Sequence, residues 1–187
     1  GVKRPLQIAL SYDEELGCIG AQPMIAAMAA GLPRAAAVVV GEPSQMKMVN
    51  GHKGGHGFRV QVDGFEVHSS LAHTGVSAIM EGAKLIDWAN RRNAENAAAR
   101  PTPLAAMFTP PWTTLHVGTI QGGSAENITA RDCHFGFGFR VVPGEDPLEW
   151  VARLRDEAAR LEAGMQAVRP EAGITLEEVY YVPPLVP

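Results

Sequence analysis

The sequence predicts an α/β region in residues 1–57, an α+β domain in residues 58–173, and a return segment in residues 174–187. In the first region, two near-continuous apolar runs flank one alanine-rich helix, which is typical of neighbouring parallel strands covered on both faces. The second region has strands of alternating apolar and polar side chains, and the last of them opens the return segment. The order β-α-β-β-α-β predicts a split βαβ domain, a four-stranded sheet with two helices on one face.

The first region contains three predicted elements. Pro5–Tyr12 and Ala35–Val40 are strand candidates, and the helix Cys18–Ala30 between them is stopped by Gly31 and Pro33. Functional groups collect beyond the carboxyl ends of parallel strands. We therefore expect the residues that directly follow these two strands to carry chemistry.

The second region and the return segment carry six elements. In chain order they are the strand Phe58–Gly64, the helix Val76–Asn96, the strands Trp112–Thr119 and Ala130–Val142, a helix that starts at Asp146, and the strand Ile174–Tyr181. The start at Asp146 combines a capping residue, a proline at the first helical position and an acid at the third. The apolar faces of the two helices are predicted as Ile79, Met80, Ala83 and Ile86, and as Leu148, Val151, Leu154, Ala158 and Leu161.

Composition excludes several classes of protein. The 187 residues are 46% hydrophobic and 19% charged with a net charge of −4, which predicts no partner among nucleic acids or anionic membranes. No apolar run approaches the roughly 20 residues of a membrane span. Cys18 and Cys133 fit no metal spacing, and free thiols indicate a reducing, cytoplasmic location. The chain begins and stops mid-pattern, which predicts an internal fragment of a longer protein.

Acidic side chains follow both predicted strands of the first region. Asp13, Glu14 and Glu15 follow the first strand, and Glu42 follows the second. Because clustered carboxylates repel one another, they require a cation, a shared proton or full solvation. A metal and proton-transfer site is one interpretation, and a solvated acidic loop is another. A glycosidase acid/base pair is a third, although no aromatic platform for a sugar is evident nearby.

Three further features have simple structural explanations when each is taken alone. His68 is a loop histidine, and the glycine-rich segment Gln121–Ile128 has the composition of a hairpin connection. Arg140 ends an apolar strand, and an arginine there is suited to bidentate binding of a carboxylate.

The ordered set of motifs, however, resembles the co-catalytic zinc aminoacylase/carboxypeptidase family, which includes acetylornithine deacetylase and succinyl-diaminopimelate desuccinylase. The matching motifs span nearly the whole chain: Asp13–Gly17, Gly41–Ser44, His52–Gly54, His68–Ser70, Gly75–Ile79, Gly122–Ile128 and Phe139–Gly144. This resemblance implies part of a parallel-sheet catalytic domain followed by an inserted lid domain through which the enzyme forms a homodimer.

The resemblance also implies roles for individual residues. Glu14 matches the general base, while Glu15 and Glu42 match ligands of the two zinc ions of a site, where cobalt is also possible. His68 matches a lid histidine that reaches the partner subunit's active site and stabilises the oxyanion.

Three more residues are candidates for the substrate side. Asn127 and Arg140 match residues that hold the substrate, Arg140 through its carboxylate. Lys53 is a further candidate for substrate binding, in the tripeptide His52–Gly54 that most resembles the acetylornithine deacetylase branch.

The function implied is metal-dependent removal of the acyl group from an N-acyl amino acid, most simply N-acetylornithine in arginine biosynthesis. Alternatives are desuccinylase, carboxypeptidase or dipeptidase activity, or a non-catalytic dimerisation or binding module. The family's His-x-Asp motif, bridging aspartate and final histidine ligand have no match in these residues. Since two carboxylates hold zinc poorly, we expect this chain alone to be inactive and not to retain the metal.

Overall fold

The computed structural model describes residues 3–186, which fall into two compact units separated between Met48 and Val49. The first unit contains a short 3-10 turn, Glu14–Leu16, and one helix, α1, Ala21–Gly31. The predicted helix is thus confirmed, although it begins three residues later than expected. No side chain of α1 is buried.

The two strands predicted in the first unit are wrong for this structure. Residues 5–12 and 35–40 belong to no helix or strand, and none of their backbone N–H groups donates a hydrogen bond to another backbone group. Their large apolar side chains are between 66% and 94% exposed. A parallel strand needs hydrogen-bonding neighbours and cover on both faces, and residues 3–48 supply neither to these segments.

The second unit is the predicted split βαβ domain. Its elements are β1 (Gly54–Asp63), α2 (Ala78–Ala98), β2 (Thr114–Gly122), β3 (Asp132–Val141), α3 (Pro147–Gln166) and β4 (Gly173–Val182). The strand order is β2-β3-β1-β4, and all three pairings are antiparallel. This mixed α/β architecture confirms the predicted fold class for the lid.

The core lies between the sheet and the two helices. Alternate residues of β1 and β3 are buried there, and the aromatic rings of β3 contact one another and Trp88 and Trp150 of the helices. The buried strand residues are Phe58, Val60, Val62, Cys133, Phe135, Phe137, Phe139 and Val141. The alternation predicted from the sequence therefore places the correct face of each strand inward.

The apolar stripe predicted for α2 is wrong at Ile79, Met80 and Ala83, although Ile86 packs against the core, whereas most of the stripe for α3 is confirmed. Ile79 and Met80 are 40% and 68% exposed, and α2 instead buries Ala78, Gly82, Leu85, Trp88 and Ala89. A Cβ atom at Gly82 would lie 3.1 Å from the Phe135 ring. The glycine therefore lets this side of the helix approach the sheet closely. In α3 the Asp146 carboxylate accepts from the Leu148 N–H at 2.8 Å, as predicted, but Leu148 itself is exposed.

Side chains of α2 cover part of the outer edge of β2. The Asn93 amide accepts from the Leu115 N–H and donates to the Leu115 carbonyl, both at 2.8 Å. Asn96 donates to the Thr113 carbonyl at 2.8 Å. These bonds occupy edge groups that would otherwise be free to pair with another strand. In the described residues none of the helices is long and apolar enough to cross a membrane.

The two ends of the second unit lie side by side. His52 and Leu185 exchange reciprocal backbone hydrogen bonds of 3.1 and 3.0 Å. The chain therefore enters β1 and leaves β4 at the same end of the sheet.

Candidate functional site

The acidic triplet of the first unit lies on a strained turn. Glu14 and Glu15 begin the 3-10 turn, and both side chains are exposed. Asp13 before it and Cys18 after it have φ angles of 53° and 59°, in the left-handed region that non-glycine residues rarely adopt. The Cys18 N–H donates to the Glu14 carbonyl at 2.9 Å, which closes the turn.

Glu42 lies close to the other strained segment of the same unit. Gln45 and Met46 have φ angles of 54° and 61°, and with Asp13 and Cys18 they are the left-handed non-glycine residues within 3–186. Such a conformation costs about 1–3 kcal/mol per residue and is found most often at functional sites. The four residues lie within two positions of the acidic motifs Asp13–Gly17 and Gly41–Ser44 that the sequence predicts to be functional.

These carboxylates do not form a metal site by themselves. Among residues 3–186, no three His, Cys, Asp or Glu side chains are grouped closely enough to hold an ion. A zinc site takes three or four protein ligands. Glu15 and Glu42 therefore do not fit a complete zinc centre within this chain.

In the second unit, the structure brings His68 and Asn127 together. His68 forms an antiparallel bridge with Ile128, and the Ser69 N–H donates to the Asn127 carbonyl at 2.8 Å. Thr129 connects the loop before His68 with the segment after Asn127, because its hydroxyl donates to the Phe65 carbonyl at 2.8 Å. The loop histidine and the glycine-rich segment thus form one polar surface.

The hydrogen bonds of His68 define which ring nitrogen carries the proton in the neutral form. Nδ1 lies 3.2 Å from the Ser70 backbone nitrogen and 2.8 Å from the Ser70 hydroxyl. Since a backbone N–H can only donate, Nδ1 is the acceptor, and the neutral ring carries its proton on Nε2. The exposed imidazole can therefore donate a hydrogen bond from Nε2.

Arg140 lies at the opposite end of β3 from His68 and Asn127. It faces the side of the sheet away from the helices, between Gly55 of β1 and Thr114 of β2. The eight residue steps from Asp132 to Arg140 span about 27 Å in an extended strand. One small amino-acid derivative cannot contact both groups within the same subunit.

Arg140 also lines an open cavity at the β2 edge. Its volume is about 660 Å³, within the range of small-molecule sites, and Trp112, Thr114 and His116 line it as well. None of the ion pairs among residues 3–186 involves Arg140. The guanidinium is therefore available to an incoming anion.

Lys53 is held within the protein. Its ammonium donates to the Trp112 carbonyl at 2.8 Å, and burial lowers its pKa, an effect that the nearby Glu145 carboxylate opposes. Glu145 also accepts from Thr113 Oγ1 and Trp150 Nε1, both at 2.7 Å. The sequence analysis missed Glu145, whose signal is an acid in the turn before α3.

Comparison with known proteins identifies the group to which the chain belongs. The family model of the M20 peptidase dimerisation domain matches residues 50–165, more than half of the chain. The chain belongs to the M20 peptidase family. This result confirms the family that the ordered motifs indicate.

The chain matches only part of each of two curated relatives. An M20 relative described as acetylornithine deacetylase from Myxococcus xanthus is 35% identical over 181 residues, which are 92% of this chain and 46% of the relative. A probable carboxypeptidase from Aspergillus terreus is 28% identical over 75% of this chain and 32% of its own length. The chain thus spans about half or less of the curated relatives that it matches.

Solved structures share the fold of the M20 chain. A hydantoinase/carbamoylase family amidase from Burkholderia multivorans matches with a TM-score of 0.56 and 19% identity, over 73% of this chain and 30% of that one. The aminopeptidase PepT from Bacillus cereus matches with a TM-score of 0.53 and 20% identity, over 74% and 32%.

Proposed function

We propose that the protein containing this chain hydrolyses N-acyl amino acids and that its substrate is N-acetylornithine, which would place it in arginine biosynthesis in the cytoplasm. The observation that carries the proposal is the 35% identity to an acetylornithine deacetylase, because it extends over 92% of the chain. The other substrate classes of the resemblance, succinylated diamino acids and peptides, are outcomes of the test below.

The residues of this chain would act in two groups. Glu14 takes the proton of the attacking water, as a carboxylate general base does. Arg140 binds the carboxylate of the substrate through its planar fork of donors. His68 donates from Nε2 to the oxyanion of the tetrahedral intermediate, and Asn127 beside it contacts the substrate.

The separation along β3 favours a site shared between two subunits. Since Arg140 and the His68–Asn127 surface lie at opposite ends of β3, whose residues Asp132 to Arg140 span about 27 Å, they serve different active sites. We propose a homodimer in which His68 and Asn127 complete the partner's site. This proposal agrees with the match to a dimerisation domain.

The uncovered part of the β2 edge suits self-association. Asn93 and Asn96 occupy the edge groups of Thr113 and Leu115, so pairing with a second copy would be confined to Val117–Gly122. An exposed strand edge is a template for such pairing.

Zinc dependence of the whole protein is part of the proposal and rests on membership of the family. Glu15 and Glu42 would each hold one of the two metal ions, which supply a Lewis acid when bound. The remaining ligands would come from protein outside this chain.

The full-length protein tests the proposal directly. We expect release of acetate from N-acetyl-L-ornithine, loss of that activity with a chelator, and its return with zinc or cobalt. Hydrolysis of N-succinyl-diaminopimelate or of a dipeptide in preference would reassign the substrate. No hydrolysis of any acyl-amino acid would contradict the enzyme assignment.

Complementation tests the shared site. Glu14→Gln and His68→Ala should each abolish most turnover, with a loss of roughly 10²–10⁴-fold. In a co-expressed mixture, each mixed dimer retains one site with both groups intact, so roughly a quarter of the activity should return. No recovery would show that His68 acts in its own subunit or not at all.

A non-catalytic binding module is favoured for the isolated chain by one observation, the lack of a three-donor metal group in residues 3–186. Metal analysis of the 187-residue chain beside the full-length protein separates the two. Stoichiometric zinc in the full-length protein alone supports the enzyme. No zinc in either supports the binding module.

A further inference from the structure

The two central strands carry four glycines on the face of the sheet that points away from the helices. We call Gly55, Gly57, Gly136 and Gly138 the glycine patch. Gly57 is paired with Gly138, and Gly55 is paired with Arg140. Glycine weakens a strand interior and often marks a place where another group approaches the backbone closely.

Two side chains cover one half of the glycine patch. A Cβ atom at Gly55 would lie 2.9 Å from Arg140 Nη1 and 3.1 Å from Tyr180 Cε2. A Cβ atom at Gly57 would overlap the Tyr180 ring. Gly55 and Gly57 are therefore buried although they lie on the open face of the sheet.

The other half of the patch has ordinary space above it. A Cβ atom at Gly138 would be 3.8 Å from the His56 carbonyl oxygen, and one at Gly136 would be 3.6 Å from Thr119 Oγ1. These are normal van der Waals distances, and Gly136 is exposed. Close approach is thus confined to the two glycines beneath Tyr180 and Arg140.

This arrangement places the guanidinium of Arg140 against the backbone of Gly55 before any ligand binds. Arg140 Nη1 and Tyr180 Cε2 lie 2.9 and 3.1 Å from the same point, the position that a Cβ atom of Gly55 would occupy. A long arginine side chain otherwise loses considerable rotamer freedom on binding, and restricting it in advance reduces that cost. A bidentate contact with a carboxylate also requires the fork to have one orientation.

We propose that Gly55 and Tyr180 are positioning residues that hold the Arg140 guanidinium ready for the carboxylate of the substrate. This inference rests on the proposed function, in which Arg140 binds that carboxylate. The competing explanation is purely structural: the Tyr180 ring compensates for the missing side chain of Gly57 and stabilises the sheet.

The experiment compares variants of the full-length hydrolase acting on N-acetyl-L-ornithine. In Gly55→Ala the new methyl group displaces the guanidinium, so KM should rise about tenfold while kcat stays within about twofold. Gly138→Ala is the matched control on the same face and should leave both constants unchanged. Equal KM values for the two variants would overturn the proposal.

Substitutions of Tyr180 provide a second test that does not depend on Gly55→Ala folding. Tyr180→Ala removes the ring and should raise KM in the same way. Tyr180→Phe keeps the ring and should have the same KM as the natural protein. A change confined to the unfolding temperature, with KM constant, would show the structural role only.

Arg140→Lys separates this inference from the proposed function. A normal KM in Arg140→Lys would overturn the substrate-binding role itself. A raised KM in Arg140→Lys together with a normal KM in Gly55→Ala would overturn the positioning role alone.

Discussion

The two units differ in what their apolar residues contact. In residues 3–48 the apolar side chains of both predicted strands are largely exposed, and α1 buries none of its residues. In the second unit similar side chains form a continuous core between a sheet and two helices. The comparison shows that an apolar run predicts a strand only where other segments supply its hydrogen bonds and its cover.

Hydrogen exchange of the 187-residue chain should show the largest difference. The amides of Phe58, Val60 and Val62 lie in a central strand that is paired on both sides. They should be protected at least about 10³-fold more than the amides of Leu6, Ile8 and Leu10. Comparable protection in the two sets would show that residues 5–12 form a strand in solution.

Truncation of a core side chain should have the next largest effect, and only in the second unit. Phe137→Ala removes a ring that is 2% exposed and should lower the free energy of unfolding by about 3–5 kcal/mol in urea titrations. Leu10→Ala, at 88% exposed, should change it by less than about 0.5 kcal/mol. A large loss in the Leu10 variant would reveal a core in the first unit.

Loss of the Glu145 carboxylate, the acceptor that the sequence analysis missed, should lower the free energy of unfolding by a smaller amount. Glu145→Ala leaves the Thr113 hydroxyl and the Trp150 indole N–H without their carboxylate, which should cost about 1–2 kcal/mol. Glu171→Ala is the control, since this exposed side chain has no hydrogen bond or ion pair among residues 3–186. Equal unfolding temperatures for the two variants would rule out a structural role for Glu145.

The smallest effect should come from a surface pair on α3. Hydrogen bonds from Arg160 lower the pKa of Glu157, so the pair stabilises the fold above the unfolded-state pKa and loses this effect as pH falls through the folded value. Glu157→Gln should therefore unfold at a slightly lower temperature than the natural chain at neutral pH, and the gap should close in acid. In an Arg160→Leu background the gap should be smaller, because only the attraction of Arg91 and Arg92 then lowers the pKa of Glu157.

How far the sequence predicts this fold depends on whether the signals are local. The start of α3 is correct because the cap, the proline and the acid act within a few residues of one another. The buried face of α2 is wrong because Gly82 contributes through its small size, which hydrophobic periodicity does not register. The strands of the first unit are wrong because a ladder depends on distant partners.

The candidate site likewise has features that local motifs predict and features that depend on the fold. The motifs indicate the family and the residue types, and the structure brings His68 and Asn127 together. The distance of Arg140 from both follows from the strand register, which no single motif contains. The roles of all seven candidate residues stay predictions: Glu14, Glu15, Glu42, Lys53, His68, Asn127 and Arg140.

The reciprocal bonds between His52 and Leu185 determine how the second unit responds to mechanical force. A pull on the two adjacent ends would load these bonds first and then separate β1 from β4 one residue pair at a time, as a zipper opens. Pulling along the strands would instead load the whole ladder at once. The unit should therefore open at lower force from this end than when it is pulled along the strands.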